Sequence, residues 1–96
     1  MSDARFDNLI HAPNRLQICA LLEAAAELEF MVLREQLGVS DSVLSKHVKA
    51  LEEAGYLSSH KRPFHGRPRT WIALTPKGRQ AYLAHVEELK RIVGLG

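Results

Sequence analysis

The sequence predicts a mostly α-helical domain that carries one β-hairpin. Three observations predict it: a capped, two-faced helical stretch over residues 39–57, a helical stripe before it that closes on Leu37-Gly38, and two short β-type runs after it, 56–62 and 69–74.

In chain order, Phe6, Leu9 and Ile10 fall at helical spacing ahead of Pro13. A helix at about residues 4–12 is too short to be stable alone, so it must pack on its own domain or on a partner subunit. Pro13 suits a first turn and opens a helix over 14–27, with Leu16, Ile18, Cys19, Leu21, Leu22 and Ala25 available for a core. In that company Cys19 is expected to be a buried small hydrophobe rather than a reactive or metal-bound thiol. A second helix over 29–37 carries Phe30, Leu33 and Leu37 on one side.

The next helix starts at Ser40, Asp41 and Ser42, whose side chains can accept hydrogen bonds from the unpaired N–H groups of a first turn. It stops at Gly55, where a positive φ is often needed. With about 100° per residue, Val43, Leu44, His47, Val48, Ala50, Leu51 and Ala54 share an arc of roughly 160° that should be buried. Ser42, Ser45, Lys46 and Lys49 cluster on the other side, within about 100° of one another and with no carboxylate among them. Hydroxyl and ammonium groups on one face suit a polyanion, whereas Glu52 and Glu53 come only in the last turns. Three residues including Gly38 separate Leu37 from Asp41. That is helix-turn-helix spacing, in which the second helix enters a major groove.

Beyond it, residues 63–68 (Pro63-Phe64-His65-Gly66-Arg67-Pro68) are expected to form the loop between the two strands. Lys61, Arg62, Arg67 and Arg69 make this tip densely basic, so that it can lie along phosphates or enter a minor groove, with His65 placed to touch backbone. Trp71 could stack on a base, but as a strand residue it is expected to pack against the domain. Thr75 as N-cap and Pro76 at the first helical position open a last helix over about 76–93. Its Tyr82, Val86, Leu89 and Val93 form a 4-3-4 seam. The seam can pack on the domain itself, but a subunit contact is the preferred reading, because the helix is terminal and the earlier helices already supply a core.

Composition frames these assignments. At 96 residues, 46% hydrophobic and 25% charged, the chain is that of one small soluble domain with a modest core. The formal charge of +2 is unevenly spread. Residues 39–79 hold eight Lys/Arg against three acids, a net +5, and the remainder holds five against eight, a net −3. A basic middle fits a nucleic-acid partner. A single cysteine excludes an internal disulfide and points to a reducing cytoplasm. No apolar run approaches the ~18 residues of a membrane span, and the N-terminus does not have the form of a signal peptide.

No enzyme chemistry is indicated: there is no phosphate-cradling Gly-rich loop and no nucleophile elbow, and Glu52-Glu53 and Glu87-Glu88 have the form of solvated helix faces. His11, His47, His60, His65 and His85 include no pair at metal-ligand spacing. No metal or other cofactor is expected, and His47, inside the apolar arc, is expected to be a hydrogen-bonded structural histidine.

The segment VSDSVLSKHVKALEEAGYL, the run HGRPRTWIALT with the PKGR after it, and IHAPNRLQICALL upstream together resemble small winged helix-turn-helix transcriptional regulators related to the MarR and ArsR families. The likeness covers nearly the whole chain. It implies a single domain over residues 1–96 that binds double-stranded DNA as a homodimer, with the first and last helices building the dimer through Phe6, Leu9, Ile10, Tyr82, Val86, Leu89 and Val93. It also implies groove-facing roles for Ser42, Ser45, Lys46 and Lys49 and wing roles for Lys61, Arg62, Arg67 and Arg69. The chain departs from both families: MarR proteins are usually longer and hold small-molecule pockets near the dimer interface, and ArsR metal sensors commonly carry a cysteine pair or His and Asp ligands on the last helix. No effector is identified. Two rivals remain, a winged-helix scaffold that binds proteins and not DNA, and an ArsR-like metal- or redox-switched sensor.

Overall fold

The computed structural model describes residues 6–95. The elements are α1 (Asn8–His11), α2 (Pro13–Ala24), β1 (Leu28–Glu29), α3 (Phe30–Leu37), α4 (Asp41–Glu53), β2 (Leu57–Phe64), β3 (Arg67–Leu74) and α5 (Pro76–Ile92). The strands form one antiparallel sheet in the order β1-β3-β2. The architecture is a winged helix-turn-helix, with α3 and α4 as the helical pair and β2–β3 as the wing.

Three boundaries differ from the sequence expectation. Residues 4 and 5 of the expected first helix lie outside the described residues, and α1 is a single turn capped by Asp7, whose Oδ1 accepts the Ile10 N–H at 3.0 Å. The second helix stops at Ala24 instead of reaching residue 27, because Ala25 turns to an extended backbone (φ −120°, ψ 140°). That turn delivers Leu28 and Glu29 to the sheet edge opposite Ile72 and Trp71. Strand pairing there outweighs alanine helix propensity, which differs between residues by fractions of a kcal/mol.

The third difference is the wing. Pro63, Phe64, Arg67 and Pro68 belong to the strands, and the turn is only His65 and Gly66, at φ 53° and 77°. Two positive φ values in succession are what a two-residue hairpin turn of type I′ requires. Pro63 and Pro68 face each other across the hairpin. Because Phe64 and Arg67 close the turn as a hydrogen-bonded pair, the prolines occupy the following non-hydrogen-bonded pair, where a missing N–H breaks no ladder bond.

The caps form where the sequence places them. Gly38 (φ 66°) ends α3 and donates to the Arg34 carbonyl, and Ser40 Oγ accepts the Val43 N–H at 3.2 Å to start α4. Thr75 Oγ1 accepts the Gly78 N–H at 2.9 Å at the head of α5. The core is Ile10, Ile18, Cys19, Leu22, Leu33, Leu44, Val48, Leu51, Leu57 and Ile72. Val43, at the margin of the arc expected to be buried, is exposed. Among the described residues, no helix is long and apolar enough to cross a membrane.

Candidate nucleic-acid interface

The position of α4 follows from its two faces. Leu44 and Leu51 are fully buried and Val48 is nearly so, which fixes the helix on the body of the protein. Ser42, Ser45, Lys46 and Lys49 are then all exposed together on the opposite side. Arg34 of α3 donates to Asp41 Oδ1 at 2.8 Å, pinning the first turn of α4 to the preceding helix. His47 sits between the faces, half-buried. Its Nδ1 accepts from Arg15 Nη1 at 3.2 Å, and the Asn14 amide lies 3.4 Å from its Nε2. Burial, followed by the Arg15 and Lys46 charges, lowers its pKa from the usual histidine value, so it acts as a neutral acceptor holding α4 to the head of α2.

Strand parity divides the wing. Ile72 faces the core, and Ser59, whose hydroxyl donates to Glu52 of α4, is its cross-strand partner. Lys61 and its partner Thr70 share that side by alternation. An open groove of about 530 Å³ runs here between α4 and the hairpin, with Ser45, Lys49 and Thr70 among its walls. Arg62, Phe64, Arg67, Arg69 and Trp71 lie on the other side of the sheet. Trp71 therefore faces away from the core, half-buried, with the Arg62 guanidinium 4.3 Å from its ring centroid. His65 and Arg67 are exposed at the tip.

Pairing separates the basic residues further. Arg62 Nη2 donates to Glu27 Oε2 at 2.5 Å, Arg69 Nη1 to Glu29 Oε2 at 2.6 Å, and Arg79 Nη1 to Glu23 Oε1 at 2.5 Å. Among the described residues Lys46, Lys49, Lys61 and Arg67 form no ion pair. The basic middle of the chain is thus partly neutralised by acids from its first third, which a count along the sequence does not reveal. Glu52 accepts an exposed hydrogen bond from the wing, whereas Glu88, paired with Arg91, is largely buried and is not the solvated face expected of it.

The residues expected at a subunit contact scatter in exposure. Ile10 is fully buried within its own chain, because the single turn of α1 spends its one enclosed apolar side chain on the core. It has no surface left to offer. Leu9 and Tyr82 are partly buried against that core. Phe6 packs at a tilt against His11 and edge-to-face against His85, with ring centroids at 4.9 and 4.7 Å. Val86 and Leu89 are half-buried, and Val93 is 63% exposed. Outside the seam, Leu83, Ile92 and Leu95 are exposed as well.

One cluster escaped the sequence altogether. Asp7 donates its N–H to His85 Nδ1 at 3.0 Å and accepts from Tyr56 Oη at 2.5 Å, while His85 Nε2 lies 3.1 Å from His11 Nδ1. It ties α1, α5 and the exit of α4 together. Among the described residues, no group of three or more His, Cys, Asp or Glu side chains could hold a metal ion.

Comparison with known proteins agrees with this geometry. Residues 14–93 match the family model described as a winged helix DNA-binding domain. An uncharacterized protein of Methanocaldococcus jannaschii is 37% identical over 78 residues, covering 81% of this chain and 85% of that one. A transcriptional regulator homologue from Pyrococcus horikoshii shares the fold with a TM-score of 0.86 at 23% identity, over 95% of this chain and 90% of its own. A putative MarR-family regulator from Enterococcus faecalis does so at 0.76 and 22% identity, over 90% and 76% of the two chains. The MarR-like fold expected from the sequence is therefore present, and the chain belongs to the winged helix DNA-binding domain family.

Proposed function

We propose that residues 1–96 act as one DNA-reading domain of a homodimeric transcriptional regulator in the cytoplasm, which recognises a specific double-stranded sequence. The observation that carries this reading is the division of α4, with Leu44, Val48 and Leu51 locked in the core and Ser42, Ser45, Lys46 and Lys49 exposed on the opposite face. Short hydroxyls and lysines suit base edges and phosphates in a major groove, and removing a hydrogen bond to a base edge costs discrimination as well as affinity. The wing supplies Lys61, Arg62, His65, Arg67 and Arg69 for backbone or a narrow minor groove.

Dimerisation through α1 and α5 is supported by the apolar surface that α5 and the residues after it leave open, Leu83, Ile92, Val93 and Leu95, with Phe6, Leu9, Tyr82, Val86 and Leu89 nearby or along the same helices. Two reading heads would then meet half-sites about 34–36 Å apart. Footprinting with Lys46→Ala plus Lys49→Ala tests the reading: protection is lost while circular dichroism and dimer mass stay unchanged. Protection equal to that of the parent would remove α4 from the interface. Absence of any DNA binding at low salt would instead favour the protein-interaction scaffold.

A further inference from the structure

The wing carries its positive charge in two different states. Lys61 and Arg67 are exposed and unpaired among the described residues, whereas Arg62 and Arg69 are each held by a carboxylate at the base of the sheet. The pairs are built, not incidental. Glu29 lies in β1 opposite Trp71, and its side chain is only 15% exposed. Glu27 immediately precedes that strand and also lies 3.6 Å from His60. Both guanidinium groups are further seated over rings, Arg62 over Trp71 at 4.3 Å and Arg69 over Phe64 at 5.2 Å. Arg62 and Arg69 are cross-strand partners, so without the two acids adjacent like charges would repel across the hairpin.

An arginine already paired with a carboxylate contributes less to a phosphate contact than a free one. Either it stays where it is, or it leaves an unpaired carboxylate next to the DNA backbone, where repulsion opposes binding. We infer that Glu27 and Glu29 act as internal competitors of DNA phosphate for Arg62 and Arg69, limiting the grip of the wing on the backbone. The inference rests on the DNA-binding reading above and adds to it two acidic residues that restrain affinity. In this arrangement the base contacts of α4 contribute a larger share of binding, and non-specific attachment through the wing is held down.

The test is a mutant cycle on the full chain, with affinity for a random duplex measured by fluorescence anisotropy over a series of salt concentrations. Glu27→Gln plus Glu29→Gln tightens binding by up to about fivefold per freed arginine, the size of an exposed ion pair's contribution. The log–log salt slope steepens by about 0.9 for each arginine that gains a phosphate. In a background of Arg62→Ala plus Arg69→Ala the same two glutamines have no such effect. An equal gain in both backgrounds would reduce the acids to long-range charge and overturn the inference, as would unchanged or weaker binding by the glutamine variant. Should the double variant prove unfolded by circular dichroism, the cycle of Glu27→Gln with Arg62→Ala decides alone, since Glu27 lies outside the sheet pairing. A parent protein that binds no duplex at any salt would overturn the DNA-binding reading itself, a failure distinct from an absence of coupling between the acids and the arginines.

Discussion

His85 and His11, 74 residues apart, meet through Nε2 and Nδ1 at 3.1 Å, and the hydrogen bonds around them fix which atom carries the proton. His85 Nδ1 accepts the Asp7 N–H, so the ring is neutral with its proton on Nε2, which donates to His11. Protonating His85 adds a proton at Nδ1 and sets donor against donor at the Asp7 N–H. Burial foremost, then the neighbouring His11, lowers the His85 pKa from 6.5, with only Asp7 opposing.

A pH dependence of stability follows. Because the folded protein resists protonation of His85 more than the unfolded chain does, the stability from this site is complete above pH 6.5. It is lost as pH falls from there through the folded pKa. His47, also lowered, adds in the same direction. Thermal melts between pH 7.5 and 5.5 should show a falling midpoint, and His85→Gln should flatten part of that fall. An identical pH profile in the variant would mean that the site does not stay neutral in the folded state.

Cys19 provides an independent check on packing. It has no accessible surface, and burial, with a smaller contribution from the Asp7 charge, pushes its thiol up to about 12. The thiolate is the reactive form, so a disulfide reagent at pH 8 should label the native protein only at the rate of unfolding and label it at once in denaturant. Rapid labelling of the native state would place Cys19 nearer the surface and reopen a redox role.

Gly78 tests the docking of α5 on the exit from α4. A Cβ at this position would lie 2.1 Å from the Tyr56 carbonyl oxygen and 2.8 Å from its carbon, a clash with backbone that no rotamer change relieves. Gly78→Ala should therefore destabilise the protein by at least the ~1–3 kcal/mol typical of overpacking, visible as a shift in the urea midpoint. A parental midpoint would show that α5 does not approach Tyr56 so closely.

The parts legible in the sequence are those set by neighbours along the chain. Ser40, Thr75 and Gly38 act within one helical turn, so the helix ends could be assigned from local rules, and the periodicity of Leu44, Val48 and Leu51 identified the buried side of α4. What the sequence hid was set across the fold. β1 is two residues long and shows no alternation. Pro63 and Pro68 argued for a loop until their register placed them opposite each other, at a position that tolerates a missing N–H. The net +5 of residues 39–79 was visible, but its partial neutralisation by Glu23, Glu27 and Glu29 depends on contacts 35 to 56 residues apart. The network of His11, His85, Asp7 and Tyr56 was hidden for the same reason.

Selection of bound duplexes from a random DNA pool tests the central claim most directly. A homodimer reading through two copies of α4 should enrich a palindromic consensus whose half-sites are centred about 10–10.5 base pairs, or a multiple of that, apart. The enrichment should disappear with Lys46→Ala plus Lys49→Ala. A pool that stays unenriched at low salt, or one from which the double variant selects the same consensus, would contradict it.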